Sequence, residues 1–175
     1  MIVRAEEERD HAAVRALNEA AFETPAEARL VDAVREQATP IVSLVADAVG
    51  VRAVPARSSL TGHILLSPVE LPGQAELRLM GLAPMGVSPD RQREGIGSLL
   101  VRAGLDACRR LGTDAVVVLG HPDFYSRFGF APASRFGIRS VYNAPDEAFM
   151  LVELGPGRLH GAAGTVRFHS AFADL

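Results

Sequence analysis

The sequence predicts one mixed α/β domain spanning residues 1–175, and three observations predict it. A long apolar run at 75–87 leads through a glycine-bearing turn into an amphipathic helical pattern, which leads in turn into a second apolar run at 114–120. Strand, helix and strand in that order make a βαβ unit. Two helical patterns precede this unit and short strand patterns follow it, so helices and strands are mixed along the chain. The chain has 175 residues, 48% hydrophobic and 22% charged, which is enough for a single core, and no repeat, low-complexity stretch or linker divides it.

Residues 1–5, MIVRA, read as a short first strand. Asp10 is placed to cap a helix in which Val14, Leu17 and Ala21 recur at helical spacing. TPAEARLVDAVREQ is a second helix, with Thr24 as cap, Pro25 in the first helical position, and Leu30, Val31 and Val34 on one face. IVSLVADAV at 41–49 reads as a strand, and the following GVRAVPARSSLTG as an irregular connection. HILLSPVEL at 63–71 is a strand pattern interrupted at Pro68. In AELRLMGLAPMGV at 75–87, Pro84 removes a ladder hydrogen bond, so a bulge or local splaying is expected there. Ile96, Leu99, Leu100, Ala103 and Ala107 then hold one helical stripe, which Gly112 ends. DAVVVLG at 114–120 is apolar and β-branched throughout, as a central strand buried on both faces would be. HPDFYSRFGF reads as a short helix or turn, and MLVELGPG and GTVRFHSAF as two more strands.

Composition removes several functions. A net charge of −3 offers no basic face for phosphate neutralisation, so no nucleic-acid partner is expected. The N-terminal residues lack a signal-like apolar core, and charges break every apolar run before membrane-spanning length. The expectation is a cytoplasmic protein without a membrane partner. All 18 basic residues are arginine, which excludes a P-loop lysine and a Schiff-base lysine. The single cysteine, Cys108, excludes an internal disulfide and a multi-cysteine zinc site; beside Val101 and Leu105 it reads as a small buried hydrophobe. His11, His63, His160 and His169 have no partner at metal spacing, so no metal is expected.

The segment VSPDRQREGIGSLL, residues 87–100, places Gly95 and Gly97 at the mouth of a helix. Between a strand and a helix, small residues let a phosphate approach the free N–H groups of the first turn. The dinucleotide pattern needs a third glycine where Leu100 stands, and the P-loop needs a lysine. What remains is Gln92-Arg93-Glu94-Gly95-Ile96-Gly97. Preceded by MGVSPD and followed by an amphipathic helix, this turn resembles the coenzyme A pyrophosphate loop of the GNAT superfamily of N-acetyltransferases. Tyr125-Ser-Arg-Phe-Gly129-Phe130 looks like that family's Tyr-x-x-x-Gly-Phe segment after the fifth strand, and the order of elements fits over nearly the whole chain.

The resemblance implies a GNAT-like fold, a central and partly splayed mixed sheet flanked by helices. It implies acetyl-CoA as co-substrate and transfer of its acetyl group to a primary amine of a small molecule or peptide, by direct attack in a ternary complex. Met85, Gly86 and Val87 match the end of the splayed strand, whose backbone bonds the pantetheine arm. Gln92, Arg93, Glu94, Gly95, Ile96, Gly97 and Ser98 match the loop and helix start that hold the pyrophosphate. Tyr125 matches the residue that protonates the departing thiolate; a core aromatic is its alternative role, and Arg91 and Arg93 divide between phosphate contact and solvated surface. One departure is Val118, where the family often has an asparagine. The general base is not singled out: Glu76 on the fourth strand and His121 at the neighbouring strand end are both candidates, the latter because active groups in open α/β sheets gather at strand ends. The tail from Arg135 to Leu175 is expected to carry acceptor selectivity, and a homodimer is an open option. The contrasting class is a non-catalytic acyl-CoA-binding or sensing module.

Overall fold

The computed structural model describes residues 1–48 and 59–174. Strand β1 (Ile2–Ala5) is followed by helices α1 (His11–Ala21) and α2 (Ala26–Gln37), strands β2 (Val42–Asp47), β3 (Leu60–Val69) and β4 (Leu79–Val87), helix α3 (Ile96–Arg110) and strand β5 (Ala115–Leu119). A one-turn helix α4 (Pro122–Tyr125) leads to β6 (Ala131–Pro132), β7 (Ile138–Ser140), β8 (Phe149–Glu153) and β9 (Gly164–Val166). The main sheet has seven strands in the order β1-β2-β3-β4-β5-β8-β6, and only β4 and β5 run parallel.

The βαβ unit is β4, α3 and β5. The stripe of α3, with Ile96, Leu100, Val101, Leu105 and Cys108, packs on Ile64, Leu66, Leu82, Val116 and Val118. Helices α1 and α2 cover the opposite face, where Val14, Leu17, Leu30, Val31 and Val34 pack on Val45 and Leu65. Under β5 and β8 that opposite face, with Ala115, Val117 and Leu151, is closed by Ile138, Leu159 and Val166 of the C-terminal segment. Alternate residues of β5 thus enter cores on both sides, which is why its sequence is apolar without a period-two pattern.

Strand β4 pairs with β5 only from Leu79 opposite Ala115 to Leu82 opposite Val118. On its other edge the register passes from Leu66 opposite Leu82 to Ile64 opposite Met85, so Ala83 and Pro84 stand against Leu65 alone. This is the bulge expected at Pro84. Beyond it, residues 83–87 leave β5, and a gap opens between the two parallel strands.

Some details differ from the sequence reading. Asp10 makes no side-chain cap on α1. Its carboxylate accepts from Arg4 Nη1 at 2.6 Å and from the Glu7 N–H at 2.9 Å, joining β1 to the start of the helices. Strand β3 begins at Leu60, within the segment expected to be irregular, and runs on through Pro68; the remainder of that segment lies outside the described residues. Pro68 lies past the last pairing of β3 with β2, Val42 opposite Leu66, where β3 has a neighbour on one side only and tolerates a missing donor. Strand β9 does not join the main sheet but pairs in parallel with β7, and Ser170–Asp174 forms a turn of 3-10 helix.

Candidate active site

The turn into α3 is built by backbone conformation. Arg93 has φ +66° and Gly95, the N-cap residue, has φ +83°. A Cβ on Gly95 would meet nothing within 4 Å, so glycine is needed there for its torsion angle rather than for room. No side chain caps the helix. Its first bond runs from the Leu99 N–H to the Gly95 carbonyl at 3.1 Å, which leaves the amides of the first turn, from Ile96 to Ser98, outside the helical ladder. The helix start is pinned to β3 at Gly62, where a Cβ would lie 2.9 Å from both Ile96 Cγ2 and Leu100 Cδ1.

This turn forms one wall of a cleft of about 850 Å³. Met85, Gly86, Val87, Gln92, Arg93, Gly95, Ile96, Gly97 and Ser98 line it, together with His121, Phe124 and Arg127. Glu94 does not line it; its carboxylate bonds Arg91 at 2.8 Å, and Arg91 too is outside the lining. A Cβ on Gly97 would make ordinary contacts, 3.4 Å to Phe124 Cζ and 3.5 Å to Met85 Cε, so the absence of a side chain there keeps cleft volume open. Gly86 has a different cause. Its missing side chain admits α1, whose Asn18 Oδ1, Ala21 Cβ and Leu17 Cδ2 would stand 3.1 to 3.2 Å from a Cβ.

A second chamber, of about 510 Å³, occupies the gap between β4 and β5. Residues 82–85 form one side and Leu119, Gly120 and His121 the other; Phe22 and Leu30 close it from the α1–α2 region, and Tyr142, Phe168 and Phe172 from the C-terminal segment. Tyr125 is in this wall, edge-on to Phe124 at 4.9 Å and Phe130 at 5.6 Å. Burial pushes its phenol up to about 12, so it stays protonated at neutral pH. Gly120 makes room for it: a Cβ there would collide with the Tyr125 ring at Cε2 and Cδ2.

Cleft and chamber share three residues, Phe22, Met85 and His121. His121 is exposed at the N-terminus of α4, where the two spaces meet. Glu76, the other candidate base, is exposed in the turn before β4 begins at Leu79 and lines neither space; the strand starts three residues later than that reading required. Val118 is buried against α3 and contributes to neither. Cys108 is fully buried, and burial pushes its thiol up to about 11. Sequence reasoning missed Glu27, a half-buried carboxylate lining the chamber. Its position in the first turn of α2 looked like ordinary helix-end charge. Among the described residues no three His, Cys, Asp or Glu side chains come together as metal ligands, and no helix is long and apolar enough to cross a membrane.

The family model described as an acetyltransferase (GNAT) domain matches residues 2–133. The chain is 34% identical over 172 residues, 98% of each chain, to the uncharacterized N-acetyltransferase YhbS of Escherichia coli K12. It is 36% identical over 142 residues to the uncharacterized N-acetyltransferase YjhQ of the same organism, covering 79% of this chain and 74% of that one. The crystal structure of E. coli YhbS in complex with CoA superposes with a TM-score of 0.88 at 33% identity, over 98% of this chain and 91% of that one. A GNAT acetyltransferase from Brucella melitensis in complex with acetyl-CoA gives 0.76 at 34% identity, over 98% and 97%.

Proposed function

The chain belongs to the GNAT acetyltransferase family, and from that premise we propose that it moves the acetyl group of acetyl-CoA to a primary amine by direct attack in a ternary complex. The observation that carries this reading is the junction: the cleft walled by the turn into α3 meets a separate chamber at Phe22, Met85 and His121.

The cleft suits acetyl-CoA at both ends. Unbonded amides at the start of a 15-residue helix, with an arginine beside them, favour a pyrophosphate. Beyond Leu82, the edge of β4 that faces β5 has no strand partner among the described residues. The backbone at Met85, Gly86 and Val87 is therefore free on that edge to bond an extended pantetheine arm as a neighbouring strand would. An arm held there brings the thioester to the junction.

An amine with a lysine-like pKa near ~10.4 arrives as ammonium. Two protons must leave its nitrogen, one before attack and one as the amide forms. His121, in contact with both spaces, is the group assigned to take the first, directly or through water. Tyr125, protonated at neutral pH, gives its proton to the thiolate as the carbon–sulfur bond breaks, and the second amine proton, lost as the amide forms, passes through water to restore the phenol. Cys108 has no access to the junction, so no acyl-enzyme is formed on it.

Thiol release from acetyl-CoA, followed across a panel of amines and peptides, tests this reading. Release that depends on one class of amine is the expected result. Acetyl-CoA binding without release for any acceptor would make the protein an acyl-CoA-binding module instead.

A further inference from the structure

Building on that reading of the site, we propose that the acceptor is a monoamine carried on an apolar or aromatic body, and that Glu27 selects its ammonium group. The chamber's volume, about 510 Å³, is that of a small-molecule site. Its walls are made by Phe22, Leu30, Leu82, Phe168 and Phe172. At its edge Leu119 and Tyr142 are 47% and 39% exposed, which extends the apolar surface toward solvent. Such walls reward a ring or an alkyl body and penalise polar groups that find no partner.

The charges in the chamber are few. Among its described lining residues there is no arginine, and the one basic side chain, His121, stands at the junction where it is assigned the amine's own proton, so a carboxylate or phosphate on the acceptor has no guanidinium to pair with. Among the described residues Glu27 is the one acidic side chain lining it, and the Thr24 hydroxyl donates to its Oε2 at 3.4 Å. Two carboxylates on or bonded to α2 are committed by contrast: Asp32 pairs with Arg15 and Arg35, and Glu6 with Arg35. Glu27 has no such cation among the described residues, although it faces an apolar space. One uncommitted carboxylate matches one ammonium. The second ammonium of a polyamine would find no second carboxylate in the described lining, and the carboxylate of a free amino acid would find no arginine.

Four probes separate these features: phenethylamine, its alcohol isostere 2-phenylethanol, phenylalanine and spermidine. Each is titrated calorimetrically into the full chain with CoA present, and each is assayed for thiol release with acetyl-CoA. Phenethylamine is expected to bind at least about tenfold more tightly than the other three, the scale of one charge-assisted hydrogen bond, and to be acetylated. Glu27→Gln is expected to bring amine and alcohol to within about twofold of each other while the alcohol binds as before. A merely structural role for Glu27 would weaken both alike. Preference for phenylalanine or spermidine, a preference for the amine that survives Glu27→Gln, or no binding by any probe would overturn the proposal. Acetylation of a different amine class would overturn it while leaving acetyl transfer intact. Selective binding without thiol release would support the recognition and overturn the transfer.

Discussion

Gly97 and Tyr125 stand on opposite sides of the junction, and each can be altered without rebuilding the protein around it. A glutamate at 97 would project into the cleft where the structure leaves volume open, and would add a charge of the same sign as a phosphate. Gly97→Glu is expected to lower acetyl-CoA affinity at least about tenfold with the melting temperature kept; undiminished binding by calorimetry would remove the phosphate role from this turn. Tyr125→Phe keeps the ring against Phe124 and Phe130 and removes only the hydroxyl. General-acid help is worth on the order of 10²–10⁴ in rate, and thiolates leave without full protonation more readily than alkoxides. The expected loss in turnover is therefore at least about tenfold, with acetyl-CoA affinity little changed. Turnover equal to wild type would leave Tyr125 as a wall residue. The glycines and the tyrosine were legible in the sequence because spacing along the chain identifies them. The place of Glu27 in the chamber wall was not legible, because it depends on α2 lying beside the open end of β4, which no local pattern reports.

Among the elements, α3 matters most to the cleft, and Gly62 fixes where its first turn lies. With a Cβ already 2.9 Å from Ile96 and Leu100, the branches of a valine would have to displace the helix start. Gly62→Val is expected to cost about 1–3 kcal/mol by urea unfolding, as overpacked cores do, and also to weaken acetyl-CoA binding. An unfolding midpoint equal to wild type would mean the helix start has room to shift. The β4–α3–β5 unit was legible because each element carries its own periodicity over many residues, and Pro84 announced the bulge by lacking a donor. Strand β7 is three residues, too short to show a period, and the sequence carries no strand pattern there; β9 is part of the longer strand pattern GTVRFHSAF, but its pairing with β7 across more than twenty residues of chain is not a local signal. Strand β3 passed through Pro68 because the strand has lost one neighbour there, a fact of topology rather than of sequence.

At the scale of the whole molecule, one buried polar group ties several elements together. His63 on β3 is fully buried, with Nε2 2.9 Å from Ser43 Oγ on β2 and Nδ1 3.2 Å from Asn18 Nδ2 on α1. Glu6, which accepts from Ser43 Oγ, also accepts from Arg35 Nη2 of α2 at 2.6 Å. Burial lowers the His63 imidazole from 6.5 to about 4, against a weaker upward pull from Glu6. Between those values the unfolded chain takes a proton that the folded chain refuses. Stability is therefore full above pH ~6.5 and falls by up to about 1.4 kcal/mol per unit as the pH drops toward 4. Below pH ~3.8 a second loss begins, as Asp10, held down to about 2 chiefly by its hydrogen bond from Arg4, is protonated more readily in the unfolded chain. His63→Gln is expected to flatten the upper window in urea unfolding and leave the lower one; an unchanged slope between pH 6.5 and 4 would place the effect in other groups. The two spaces that touch only at Phe22, Met85 and His121 set the traffic through the molecule. In the proposed reaction donor and acceptor occupy different rooms, so neither would have to vacate for the other to enter, and the spent carrier and the finished amide would not queue for one exit. Initial-velocity lines at several fixed concentrations of either substrate should then converge, as a ternary complex requires; parallel lines would overturn direct transfer between the two rooms.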